Sequence, residues 1–317
     1  MELLSLHNSE IKLTRIGFGC EQLGLHNWGE VNINDLELAV NVAIENGINF
    51  FDTADVYGLG KSEENLGKFL GQNRKSVNII TKFGIRFQNG ERYFDSSPKW
   101  IIQALEASLK RLNTDYIDVF QLHYWDEKTN LDEIYHCLNE LMISGKIRTY
   151  GFSNLAQNQL NLNSKFVDKA DIFSYEYNLV NREKESLILE QQKKKVFLAY
   201  GALAQGLLSG RYKSSKDFQA GDRRATERYV NFHGEKFEQN LRIIEGINQI
   251  STNYSMKTSQ ISLRFVLDNL TNSSIIVGVK NPSQISDAIK VLNFNLSQLD
   301  ITFLKKLNKS NGIHEQV

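Results

Sequence analysis

The chain has 317 residues, 41% of them apolar and 23% charged, and only two prolines, a globular composition that excludes long disordered or Pro-rich stretches. Lysine plus arginine and aspartate plus glutamate balance at 37 each, so no global charge points to nucleic acid or an anionic membrane surface. No apolar run approaches the roughly 20 residues that span a bilayer, and Met1 to Glu10 lacks the basic-then-apolar order of a signal peptide. Cys20 and Cys137 have no metal-ligand partners at a recognisable spacing, so no metal is expected. Both read as free thiols of a reducing cytoplasm.

In chain order, Leu4 to Thr14 predicts a small hairpin with Asn8-Ser9 as its turn, capping the floor of the fold. Strand-like runs then alternate with helical stretches: Ile16–Cys20, Asn49–Thr53, Val77–Thr81, Tyr116–Leu122, Ile147–Phe152, Ile172–Tyr175, Val196–Tyr200 and Ile275–Val279. Most are continuously apolar, as strands buried on both faces are. Ser97 and Pro98 predict the N-cap and first residue of a helix whose inward face is Ile101, Ile102, Leu105, Leu109 and Leu112. A second helix carries Leu131, Ile134, Leu138 and Leu141 and stops at Gly145. Ser209 to Glu235 is polar and aperiodic, which predicts a functional loop or lid.

Such alternation implies parallel strands joined by right-handed crossovers. Eight of them fit a closed (β/α)8 TIM barrel, expected as one domain over residues 1–317. A doubly wound sheet would carry a Gly-rich phosphate turn after its first strand, and the segment from Gly17 to Gly24 does not fit that fingerprint.

A barrel places its active site at the carboxyl ends of the strands. Those ends deliver Asp52 and Tyr57 after the second run, Lys82 after the third and His123 after the fourth. Taken singly, Lys82 reads as a solvated strand end, His123 as a satisfied half-buried histidine, Tyr57 as a rim aromatic and Asp52 as a cap. Together they suit carbonyl reduction. Hydride arriving at carbon leaves an alkoxide that needs an acid within hydrogen-bond reach. A free tyrosine, with a pKa of about 10, is too weak for the task. A neighbouring Lys⁺ would stabilise its phenolate, a carboxylate would hold the lysine, and a neutral imidazole would orient the carbonyl. Tyr57 is therefore read as the acid, Lys82 and Asp52 as its tuning pair, and His123 as the orienting group. Trp28, Tyr57, Phe83, His123, Tyr124 and Trp125 are expected to line the substrate pocket, with Arg86 and Arg92 in the loop after the third run. The partner this implies is a small-molecule carbonyl compound.

FDTADVYG at 51–58, SEENLG at 62–67, ITK at 80–82 and QLHYWD at 121–126 resemble the aldo-keto reductase superfamily, as do GKIRTYGFSN at 145–154, EYNLVNRE at 176–183 and ALAQGLLSGRY at 202–212. The loop from Ala220 to Arg224 continues the likeness, which covers essentially the whole chain. SLKRLNTDYIDVFQLH at 108–123 looks closest to bacterial members linked to inositol use and general stress. The resemblance assigns Asp52, Tyr57, Lys82 and His123 to the family's catalytic positions. It implies that Ser153 and Asn154 bind the nicotinamide carboxamide, that Tyr200 stacks on the ring, and that Leu203, Gly206 and Leu208 follow the pyrophosphate. Cys20, Gln22, Asp52 and Ser174 fall on the nicotinamide side of the same cofactor site. Gly278, Lys280, Gln284 and Asp287 fall on its adenosine side. A cation at Lys280 favours NADP(H) over NAD(H) by charge pairing with the 2′-phosphate.

The chain departs from the family pattern in placing Ser174 where a glutamine is usual and Ala288 where an adenine-contacting asparagine is usual. Ala202 stands for the usual proline of the pyrophosphate loop and Arg211 for its usual lysine. The family also holds cofactor-binding regulatory subunits with little turnover, and a polyol or inositol dehydrogenase working oxidatively is a further alternative.

Overall fold

The structure, a computed structural model, describes residues 2–309 other than 163, 215, 216, 219 and 220. Ala220 and both ends of the expected 1–317 unit lie outside the described residues. Eight parallel strands close into a barrel. They are β1 (Ile16–Gly19), β2 (Phe50–Asp52), β3 (Asn78–Phe83), β4 (Ile117–Leu122), β5 (Ile147–Ser153), β6 (Ile172–Glu176), β7 (Val196–Tyr200) and β8 (Ser273–Gly278), adjacent in that order, with β8 returning to β1. All eight expected runs are strands, within two residues at each end.

Side chains alternate across each strand, because successive Cβ atoms point to opposite faces. One parity fills the barrel: Phe50, Ile80, Val119, Ile172, Val196, Leu198 and Ile276 form a single buried cluster. Leu6, Ile11 and Leu13 belong to the same cluster, so the hairpin of Leu3–Ser5 and Lys12–Thr14 plugs the barrel floor as expected. Gly17 makes room inside, since a Cβ there would lie 2.0 Å from the Phe50 ring. The other parity, including Phe51, Phe83, Phe120 and Phe173, packs outward with the helices in a second cluster.

The helix Pro98–Leu112 starts as expected, the Ser97 hydroxyl accepting from the Trp100 amide at 3.3 Å. Its buried face is Ile101, Ala104, Leu105, Ser108 and Leu112, and Ile102 is 44% exposed. The inward assignment of Ile102 is therefore corrected: one residue beyond Ile101 turns about 100° round the helix, off the buried stripe. The helix Leu131–Ile143 buries Leu131, Ile134, Leu138 and Leu141, and Gly145 after it takes φ 74°. Among the described residues, no helix is long and apolar enough to cross a membrane.

Two features at the carboxyl rim matter for the site. After β3 comes an unforeseen antiparallel hairpin, Ile85–Gln88 with Glu91–Phe94. Its turn is Asn89-Gly90 with φ 52° and 83°, the two-residue connection whose twist matches the strands. The polar stretch after Ser209 crosses the rim as a strap: Asp222 forms an antiparallel bridge with Trp28, and the Arg223 guanidinium grips Glu21 at 2.6 and 3.1 Å.

Candidate active site

β2, β3 and β4 bring Asp52, Lys82 and His123 to one rim because all three share the inward parity. The Lys82 ammonium, almost fully buried, donates to Asp52 Oδ1 and to the Thr53 carbonyl, both at 2.7 Å. Tyr57 sits in the turn after β2, set by a close backbone crossing: a Cβ on Gly58 would lie 2.3 Å from the Gly24 carbonyl oxygen. Lys82 Nζ lies 5.2 Å from the centroid of the Tyr57 ring. The His123 ring meets the Tyr57 ring edge-on, centroids 6.1 Å apart at 86°. Asp52 Oδ2 and His123 Nδ1 are buried polar atoms with no protein partner.

Burial governs the electrostatics. It pushes the Tyr57 phenol well above its ordinary value, and the Asp52 and Glu21 carboxylates add to the rise. The lowering expected from Lys82 does not prevail, because burial outweighs the charges around the phenol. Burial raises the Asp52 carboxyl too, with Lys82 opposing. His123 is held well below 6.5, by burial first and then by the Lys82 and Arg92 charges, so its ring is neutral.

These groups close one side of a cavity of about 1310 Å³ that runs across the strand ends. Cys20 and Gln22 form its floor beside Asp52; the Gln22 side chain lies against Gly278, where a Cβ would come within 2.8 Å. Ser153 donates to the Ser174 carbonyl at 3.2 Å, and Asn154 Oδ1 accepts from the Tyr200 hydroxyl at 2.7 Å. The Ser174 hydroxyl accepts from Gln121 Nε2 at 2.6 Å, and the same amide donates to the Phe152 carbonyl at 2.8 Å. Gln121, fully buried behind Ser174, is a supporting residue that the sequence reading lacks, although it lies two residues before His123 on the same inward parity. Leu203 and Gly206 line the middle of the cavity, Gly206 at φ 94°. Lys280, Gln284 and Asp287 line its far end, where Gln284 accepts from the Lys280 amide at 2.7 Å. The Lys280 ammonium reaches the Trp28 carbonyl across the cleft.

Three expected site residues lie elsewhere. Phe83 is fully buried on the outward parity of β3, stacked against Phe120 at 4.7 Å, because its neighbour Lys82 takes the inward position. Trp125 folds under its own loop, its indole donating to the Thr129 carbonyl at 2.8 Å. Leu208 is fully buried behind the cavity wall, its carbonyl accepting from Ser262 at 3.1 Å. Trp28, Tyr57, His123 and Tyr124 do line the cavity, as does Arg92, whereas Arg86 pairs with Asp95 at 2.7 Å outside it. The Glu21–Arg223 clasp is also absent from the sequence reading; the two residues are 202 positions apart and carry no local signal.

The residues present fit a nicotinamide dinucleotide. Unpartnered Asp52 Oδ2 and Gln22 Oε1 face one end, glycines open the wall at Gly206 and Gly278, and a basic group waits at the other end. A closed barrel with this rim and a cleft of this length defines a (β/α)8 oxidoreductase. The aldo/keto reductase family model matches residues 15–309. An aldo-keto reductase of Bacillus subtilis is 30% identical over 95% of this chain and 91% of its own length. The NADH-specific methylglyoxal reductase of Escherichia coli is 30% identical over 97% of this chain and 98% of its own. Among solved structures, a glycerol dehydrogenase of Gluconobacter oxydans superposes with a TM-score of 0.87 at 28% identity, covering 99% of this chain and 97% of that one. The chain belongs to the aldo/keto reductase family.

Proposed function

We propose that this chain reduces an aldehyde, ketone or sugar-like carbonyl to the alcohol, with NADP(H) preferred over NAD(H) and Tyr57 as the proton donor. The observation that carries the reading is the buried Lys82–Asp52 pair beside the Tyr57 ring, with a neutral His123 at its edge. When bound in the cleft, a nicotinamide dinucleotide supplies the hydride. Tyr57 Oη then gives its proton to the carbonyl oxygen. Burial keeps the phenol protonated at neutral pH, and Lys82, 5.2 Å from the ring centroid, stabilises the phenolate left behind. Asp52 fixes Lys82 in place. His123, being neutral, donates a ring N–H to the same oxygen and sets the carbonyl's direction.

Ser153, Asn154, Tyr200 and the Gln121–Ser174 pair would hold the nicotinamide end, and Leu203 and Gly206 the diphosphate. Lys280, with no carboxylate within ion-pair distance among the described residues, would meet a 2′-phosphate. The NADH-specific relative makes this preference the part most worth testing. The test is the rate of NADPH and of NADH oxidation with 4-nitrobenzaldehyde, methylglyoxal and glyceraldehyde. The expected kcat/KM favours NADPH at least tenfold with one or more of them. Parity or an NADH preference refutes the cofactor assignment, and no turnover with either cofactor refutes the reductase reading.

A further inference from the structure

The charges lining the cleft do not balance. Lys82 is held by Asp52 at 2.7 Å, Arg223 by Glu21 at 2.6 Å and Arg224 by Asp222 at 2.5 Å. Asp287 is taken by Lys257 and Lys290, and burial pushes the Glu176 carboxyl towards its neutral form. Among the described residues, Arg92, Arg211, Arg228 and Lys280 line the cleft without a carboxylate at ion-pair distance. Arg211 and Lys280 belong to the dinucleotide arm, close enough for Arg211 to depress the Lys280 ammonium. Arg92 and Arg228 are left over.

Arg92 lies at the substrate end, and Arg228 lines the same cleft. The Arg92 guanidinium sits 5.4 Å from the Phe94 ring centroid, Phe94 stacks on Tyr124 at 5.2 Å and 14°, and Tyr124 stacks on His123 at 5.3 Å and 28°. A continuous run of rings thus leads from the cation to the carbonyl-orienting imidazole, and the Arg92 charge is felt there. Arg228 precedes Tyr229 in the strap after β7, and Tyr229 feels its charge as well as that of Arg223, whose guanidinium lies 5.5 Å from the Tyr229 ring and 4.0 Å from Trp28. Arg92 enters the cleft from the hairpin after β3 and Arg228 from the strap that Arg223 ties to Glu21, so the two arginines reach it from different elements.

We infer that the substrate is a carbonyl compound carrying an anionic end group, a carboxylate or phosphate, clasped by Arg92 and Arg228 while its carbonyl rests at Tyr57 and His123. The inference builds on the reductase reading above. Guanidinium forks match carboxylate and phosphate oxygens two at a time, which a neutral alcohol or alkyl end cannot exploit. Both side chains are exposed, so the clasp is screened and weakens as salt rises.

The test compares 4-carboxybenzaldehyde with methyl 4-formylbenzoate, alike except for the charge, at low ionic strength. The expected kcat/KM ratio of acid to ester is above ten. It falls about tenfold in Arg92→Ala and in Arg228→Ala, is largely kept in Arg92→Lys, and drops below one in Arg92→Glu. A ratio near one in the wild type, or one that neither alanine variant moves, overturns the inference. A binding measurement separates it from the reading beneath: calorimetric titration of the NADP⁺-loaded chain with 4-(hydroxymethyl)benzoate and its methyl ester. Acid binding at least tenfold tighter and weakened by Arg92→Ala supports the clasp even if neither aldehyde turns over, an outcome that would refute only the reductase reading. Equal binding of acid and ester overturns the clasp.

Discussion

Replacing Tyr57 by phenylalanine removes one oxygen atom and, in this structure, almost nothing else. Among the described residues the phenol makes no hydrogen bond, so its loss strands no buried partner. The ring keeps its edge contact with His123 at 6.1 Å and its place 5.2 Å from Lys82. The change in stability should therefore stay within about 0.5 kcal/mol, as for substitutions that break no polar pair. Catalysis should respond differently. A positioned general acid contributes about two to four decades of rate, so the barrier rises by about 2.7 kcal/mol or more. The assay is NADPH absorbance loss with a reactive aromatic aldehyde, beside NADPH fluorescence titration and a thermal melt of the same preparation. The expected outcome is a kcat at least about a hundredfold lower with cofactor affinity and melting temperature unchanged. A variant within about fivefold of wild type refutes Tyr57 as proton donor. A variant that loses activity together with its cofactor or its fold refutes the reasoning about an isolated hydroxyl.

Lys280→Ala should raise the NADPH dissociation constant about tenfold and the NADH constant by less than about twofold, since one charge-assisted contact is lost. Equal weakening in a fluorescence titration would mean that Lys280 does not read the 2′-phosphate. Arg111 binds the fully buried Glu63 at 2.6 Å, and burial together with Glu63 pushes neighbouring Asp55 well up. Arg111→Met should cost about 3 kcal/mol in denaturant unfolding, most of it recovered by adding Glu63→Gln; no recovery would show that the stranded carboxylate is not the cause. Because His123 is held well below 6.5, kcat/KM should show no inflection between about pH 6 and 7. The unfolded chain takes up a proton there that the folded chain refuses, so this group makes the fold lose stability as pH falls below 6.5. A sharp acid limb at 6.5 that vanishes in His123→Gln would contradict the assignment.

The barrel was legible because doubly buried strands leave continuous apolar runs, and the plug because its hydrophobes precede the first of them. The meeting of Asp52, Lys82 and His123 at one rim was legible because strand ends converge on one face whatever the loops do. What failed to read was parity at the ends of strands. Phe83 follows Lys82 by one residue and so points to the helices; within a helix the same single step carries Ile102 about 100° past Ile101 and out to solvent. The hairpin after β3 carried its signal in Asn89-Gly90 between alternating residues, which loop polarity masked. The clasp of Glu21 on Arg223 had no signal at all, because a pair 202 residues apart is created only by closure of the barrel. Trp125 illustrates the remaining difficulty: an aromatic two residues from His123 is equally suited to a pocket wall and to anchoring its own loop, and a single indole hydrogen bond to Thr129 decides it.

Gln121 and Ser174 project from strands that are not neighbours into one sealed volume, where the amide of the first meets the hydroxyl of the second at 2.6 Å. Ser174 lines the cavity, and the fully buried Gln121 stands behind it as its hydrogen-bond partner. The two side chains are thereby fixed as a pair. A longer side chain at 174 would collide with the amide at 121, and a shorter one at 121 would leave the serine out of reach. A substitution at either position is thus felt at the other, and a double variant will behave unlike the sum of the two single ones.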